Sequence, residues 1–160
     1  MAVDIFLKLE GIKGESSDSK HKEEIDVLSY SFGASQTGTM AYGGGGGAGK
    51  VSFQDLSFTH RVDKSSPVLF LHCANGAHIK EATLTNRKAG KEQQEYLVVK
   101  LSDILVTTVQ HSDSAGGDLP VESVSLNYAK IEMVYKPQKQ DGTLDAGLTF
   151  KWDQKLNKEA

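Results

Sequence analysis

Apolar and polar residues alternate with a period of two along most of the chain. This spacing puts one face of a strand into a core and the other toward water. Val3, Ile5, Leu7 and Leu9 alternate with Asp4, Lys8 and Glu10 and predict a first strand, with Phe6 as an apolar exception on the opposite face. Ile25 and Val27 share one parity, whereas Leu28, Tyr30 and Phe32 share the other. The switch at Val27–Leu28 predicts a β-bulge or a strand buried on both sides. After it, Ser29, Ser31 and Gly33 line one face and the apolar residues the other.

The same switch recurs between Phe53 and Leu56, and again between Tyr128 and Ile131, where a bulge is expected near Ala129. His78 to Arg87 reads as a polar strand with Ala82 and Leu84 inward, joined by a hairpin through Asn86–Lys91 to the apolar strand Glu95–Leu101. Leu105–Gln110 continues as strand on its β-branched residues. His111–Asp118 is a polar turn region and Pro137–Gly147 a loop. Leu148, Phe150 and Trp152 make a last strand before a charged tail at about 153–160.

One segment breaks the alternation. At about 66–75 the run from Ser66 to Asn75 predicts a short α-helix, with Ser66 as its cap, Pro67 at its first position and Gly76 just past its end. Leu69, Phe70 and Cys73 are expected to pack at least partly against the strands. The pattern therefore predicts an all-β domain: a β-barrel or sandwich of two packed, mostly antiparallel sheets, with one short α-helix. No repeat or linker divides it, so residues 1–160 read as a single domain.

Composition narrows the function classes. The chain has 160 residues, with 24% charged and 38% hydrophobic, which suits one globular domain. Its net charge of −3 gives no nucleic-acid footprint. No stretch is apolar enough for membrane insertion. The single cysteine, Cys73, excludes an intrachain disulfide and suits a reducing cytoplasm. The opening Met1–Lys8 has no basic region followed by an apolar one, so export by a signal peptide is not expected.

The glycine run Gly43, Gly44, Gly45, Gly46, Gly47, Ala48, Gly49, Lys50 raises the question of a phosphate-binding loop. Gly44, Gly49 and Lys50 fit that spacing, but Val51 stands where Ser or Thr is needed to hold magnesium, and an alternating strand follows instead of a helix. A flexible connection over about 36–50 is the simpler reading, with a nucleotide- or small-ligand-binding barrel under a glycine lid as the alternative. His21, His60, His72, His78 and His111 have no short metal-ligand spacing. Cys73, in a short apolar helix, reads as a structural thiol. Asp18, Glu23, Glu24 and Asp26 fit no calcium loop, and no nucleophile elbow is present. No cofactor, metal or catalytic residue is expected.

The residues carry a family resemblance from the first position to about Trp152. Its segments include Met1–Lys8, Lys13–Ser16, His21–Gly33, Gly43–Val51, Gln54–Thr59, Asp63–Pro67, Arg87–Gly90, Glu95–Leu97 and Tyr135–Lys139. In these it resembles the haemolysin-coregulated proteins, the Hcp family. The resemblance implies a tight β-barrel that closes into homohexameric rings and stacks into the inner tube of the bacterial type VI secretion system. Implied partners are the spike protein, the sheath and baseplate components, and small secreted effectors held in the ring lumen. It also implies a protein made in the cytoplasm and secreted by that machine. Ser29 and Ser31 are expected to face the lumen, and Gly43, Gly44, Gly45, Gly46, Gly47, Ala89 and Gly90 to make ring or stacking contacts.

Overall fold

In the computed structural model, residues 3–38, 40–41, 49–90 and 92–160 are described. Gly43 to Gly47, the expected ring or stacking contacts of the glycine run, lie outside them. The order of elements is β1 (Val3–Leu9), β2 (Ile25–Ser35), β3 (Ser52–Arg61), α1 (Ser66–Asn75), β4 (His78–Lys88), β5 (Glu95–Ser112), β6 (Val121–Tyr135), β7 (Leu148–Asp153) and β8 (Lys158–Glu159). The eight strands form one continuous sheet in the order β3-β2-β1-β4-β5-β6-β7-β8, and an additional β3–β6 pairing closes it into a barrel. Every pairing is antiparallel. Closure removes the edges of the six strands that form the wall.

β6 makes the closure possible by dividing one of its edges. Its first half pairs with β3 from Arg61↔Val121 to Leu56↔Leu126, and its second half pairs with β7 from Lys130↔Asp153 to Tyr135↔Leu148. At the corner between these halves Phe53 contacts the rings of Tyr128, Phe150 and Trp152, each with its centroid 6.4 Å away. The Tyr128 hydroxyl donates to the Gln54 carbonyl at 2.9 Å. Burial, reinforced by the nearby Asp55 charge, pushes the Tyr128 phenol up to about 12.

The core fills the barrel with the inward parity of each strand: Leu7, Leu9, Ile25, Leu56, Phe58, Leu84, Val99, Leu101, Val124 and Leu126 are all buried. The parity switches have distinct causes. The one in β2 is a bulge, with the register slipping between Val27↔His60 and Ser29↔Thr59. Leu28 is the inserted residue. It does not join Tyr30 and Phe32 inside but stands 46% exposed. The bulge expected near Ala129 is absent. The β5–β6 register runs unbroken past that point, from Ser102↔Lys130 to Ile104↔Tyr128. Both strands change face together there, with Asp103 taking up the turn at φ +54. The β5–β6 slip lies instead between Val106 and Thr108.

Phe6 also finds its explanation. It points outward, beneath the long β1–β2 connection, and is 4% exposed. That connection is folded on itself by backbone bonds such as Gly14 N–H to Glu23 O and Ser16 N–H to Glu24 O, and Asp18 and His21 lay it against Arg87 of β4 and Phe6 of β1. A Cβ on Gly14 would sit 2.5 Å from the Glu24 carbonyl oxygen, so glycine is required by the close approach of the two backbones.

The helix occupies Ser66–Asn75 as the sequence predicts, and Gly76 closes it in the left-handed conformation at φ +70. The cap differs. The N-cap position is Ser65, not Ser66, and no side chain caps in the usual way. Asp63 organises the start: its carboxylate accepts from the Ser65 N–H at 2.8 Å and from the Ser65 hydroxyl. Ser66 faces backward, its hydroxyl accepting from the Asp63 N–H at 3.2 Å. Leu69 is fully buried and Cys73 packs partly against the core, but Phe70 is exposed. The charged tail is not wholly free: β8 pairs Trp152↔Glu159 and Asp153↔Lys158.

Candidate functional site

The outward parity of β2, β3 and β6 is a face of small hydroxyls. It follows from the alternation itself. In β3 the buried residues Leu56, Phe58 and His60 leave Asp55, Ser57, Thr59 and Arg61 pointing out. In β6 the buried Glu122, Val124 and Leu126 leave Ser123, Ser125 and Asn127. Cross-strand register aligns them into rows. Ser31 stands opposite Ser57, and Ser57 opposite Ser125; Ser29 stands opposite Thr59, and Thr59 opposite Ser123. β5 extends the rows with Thr108 opposite Ser125 and Gln110 opposite Ser123.

The hydroxyls bond to one another. Ser29 Oγ and Thr59 Oγ1 lie 2.6 Å apart, and Ser57 Oγ and Ser125 Oγ 2.9 Å apart. Asp55 is held by the Thr107 hydroxyl at 2.6 Å and the Asn127 amide at 2.9 Å. Between Asp55 and Arg61, at opposite ends of the rows, the outward positions carry no charge. Ser29 and Ser31 are both exposed, and the structure brings them into one surface with residues that sequence reasoning had not singled out: Ser57, Thr59, Ser123 and Ser125. A signal was available, since Leu56–Thr59 and Ser123–Asn127 alternate hydroxyl or amide with apolar residues as the Ser29–Phe32 stretch does.

Ala89 and Gly90 are exposed in the β4–β5 connection, where Gly90 adopts φ +143, a conformation suited to glycine. Lys88 N–H donates to Gln94 O at 2.8 Å across its base, and the Gln94 side chain donates to Gly142 O in the β6–β7 loop at 2.7 Å. Antiparallel topology puts this connection at the same barrel end as the outgoing end of β2 and the start of β3. The segments flanking the glycine run and the Ala89–Gly90 turn therefore share one end of the barrel.

Beside that turn is a polar cluster that the sequence did not reveal. Arg87, 2% exposed, binds Asp18 through two bonds of 2.9 and 2.6 Å and Asp4 through one of 3.1 Å. Its guanidinium lies 4.8 Å from the Phe6 ring centroid, and Phe6 stacks on His21 at 4.4 Å. His21 in turn sits 2.8 Å from Glu24 and 2.7 Å from Glu95. Arg87 holds the Asp18 carboxyl far below the ordinary carboxylate range. The cluster ties the β1–β2 connection to β4 and β5. Its ionisable groups are spent on one another, an arrangement suited to fastening rather than to proton transfer.

Among the described residues, no group of His, Cys, Asp or Glu side chains could hold a metal ion, and no helix is long and apolar enough to cross a membrane.

The fold is thus a closed antiparallel β-barrel with one short helix, and it carries a broad neutral hydroxyl face on β2, β3 and β6. Residues 6–135 match the family model described as "Type VI secretion system effector, Hcp", and the chain belongs to the Hcp family of the type VI secretion system. It is 51% identical to "Protein hcp1" of Pseudomonas aeruginosa over 162 residues, covering 100% of both chains. Among solved structures it is similar to Hcp1 from Salmonella typhimurium, with 42% identity, a TM-score of 0.83 and all of both chains covered. A structure titled as that of a type six secretion system protein superposes with a TM-score of 0.94 at 29% identity, covering 99% of this chain and 100% of the other.

Proposed function

We propose that this chain is the ring-forming subunit of the inner tube of a type VI secretion system, exported on firing. In this reading six copies close into a ring through one heterologous contact repeated around an axis, and rings stack through the barrel end that carries Ala89 and Gly90. Gly43 to Gly47 would contribute to the same contacts. Spike, sheath and baseplate components are the partners of the tube, and small effectors travel in its lumen. The role is mechanical and calls for no catalytic residue.

The observation that carries the reading is the hydroxyl face of Ser29, Ser31, Ser57 and Ser125 on a member of the Hcp family. Small side chains keep a channel wide. Hydroxyls donate and accept, so they can adapt to varied cargo surfaces, and exchange with water costs them little. Size-exclusion chromatography with light scattering tests the ring: the mass of about six subunits that the Hcp resemblance implies is expected, and a stable monomer would refute it. Ser31→Gln tests the lumen. It should leave the hexamer intact while lowering retention of a co-expressed effector, and unchanged retention would remove Ser31 from the cargo surface.

A further inference from the structure

The Ala89–Gly90 turn is tied down from both sides. Arg87 and Lys88 lead into it, and Gln94 and Glu95 lead out. The outer two fasten to the β1–β2 connection: Arg87 binds Asp18, and Glu95 lies 2.7 Å from His21. The inner two fasten to the β6–β7 connection. Lys88 Nζ donates to Gln138 Oε1 at 2.9 Å, and Gln94 Nε2 donates to the Gly142 carbonyl at 2.7 Å. Gln138 Nε2 donates to the same carbonyl at 3.1 Å. A carbonyl only accepts, so both of its lone pairs are taken and both amides are held in one orientation.

The connection on the far side is itself well ordered. Asp145 N–H donates to Pro137 O and Lys139 N–H to Thr143 O, both at 2.7 Å, and Gln138 forms a β-bridge with Leu144. Lys136 N–H anchors this small hairpin to Tyr96 O at 2.8 Å. The brace lies outside the core, and the bonds of Gln138 are exposed. What it holds is the pose of an exposed turn. Gly90, at φ +143, has wide backbone freedom unless its flanks are fixed.

We infer, on the stacking reading proposed above, that Gln94 and Gln138 are positioning residues for ring stacking. They hold the Ala89–Gly90 turn in the pose that meets a second copy of this chain, so that docking does not have to order it. Repetition around the ring magnifies the effect. A loss of roughly 1.5-fold at each turn of a six-membered ring compounds to roughly tenfold, because distant contacts add in free energy.

The test uses the full-length chain. Gln94→Ala and Gln138→Ala, singly and together, are compared with wild type. Light scattering reads ring mass, thermal melting reads stability, and sedimentation velocity at rising concentration reads ring–ring association. The double variant should keep the ring mass and melt within about 3 °C of wild type, as surface changes do. Its ring–ring association should fall at least about tenfold. Gln94→Lys keeps a donor at that position and should restore association to within about threefold of wild type. Amide hydrogen exchange reads the coupling. In Gln94→Ala it should speed up at Asp145 as well as at Lys88, although no bond of Asp145 is removed.

Unchanged association in the double variant would overturn the inference, because the turn would then be posed without the glutamines. Loss of the ring would overturn it too, by making them subunit contacts. So would equal loss in Gln94→Lys, or faster exchange at Lys88 alone. Wild-type rings that never associate would remove the stacking reading and this inference with it, a result distinct from stacking that survives the double variant.

Discussion

His60 and Glu122 form a pair that never meets solvent: the imidazole Nε2 lies 2.8 Å from a carboxylate oxygen, and both side chains are 0% exposed. The pair joins β3 to β6 at the seam that closes the barrel, opposite the hydroxyl rows. Among the described residues its other atoms, His60 Nδ1 and Glu122 Oε2, have no hydrogen-bond partner. Removing one member strands the other in the core. His60→Leu or Glu122→Leu alone should cost about 3–5 kcal/mol, whereas the double replacement should recover most of that loss. Urea denaturation of the four proteins checks it, and additive losses would show the pair uncoupled.

Arg87 makes the corresponding fastening outside the barrel. Arg87→Ala removes the partner of Asp18 and Asp4 and the cover of Phe6, and should cost about 3 kcal/mol. The melting temperature should fall by roughly 10 °C. Circular dichroism should still report a β-rich fold, because the core lies on the other side of the sheet.

The same contact fixes a pH dependence. Asp18 is held well below its ordinary range by Arg87, so its folded pKa is depressed. The stabilisation is complete above the unfolded carboxylate range, near about 3.9, and is lost as pH falls through it toward the folded value. Asp18→Asn should therefore be less stable than wild type at neutral pH, and the gap should narrow below about pH 4. A gap that stays constant through acid titration would mean the ion pair contributes nothing.

Asp26 has the opposite sign. Its carboxyl is raised by burial and then by Asp63, Asp4 and Asp18. The folded state favours the protonated form, so the ionised group costs stability as pH rises through its folded value. Asp26→Asn should stabilise the protein at neutral pH and have little effect in acid, as thermal melts at both pH values would reveal.

The start of α1 gives a fifth comparison. Asp63→Ala removes the acceptor of both Ser65 bonds and should cost about 1 kcal/mol, in the range of a lost cap. Ser66→Ala removes only the bond from the Asp63 N–H and should cost less. Equal losses would return the capping role to Ser66.

Much of this molecule was legible in its sequence because burial in a sheet has a period of two. The strands, the helix ended by Gly76, and the face shared by Ser29 and Ser31 follow from which residues can and cannot be left in water. Three other features needed the folded chain. Leu28 counts as inward by parity, and only its register against His60 and Thr59 shows that the bulge turns it out. Ser57, Thr59, Ser123 and Ser125 become one surface with Ser29 only because β3 closes against β6, a contact between positions 60 (Arg61↔Val121) to 70 (Leu56↔Leu126) apart in the chain that no local pattern encodes. Arg87 reads as a hairpin residue until the β1–β2 connection folds back and brings Asp18 to it across 69 positions. Local alternation determines which face of each strand is wet. Only tertiary closure decides which wet faces lie side by side, because strand partners are chosen by the whole core.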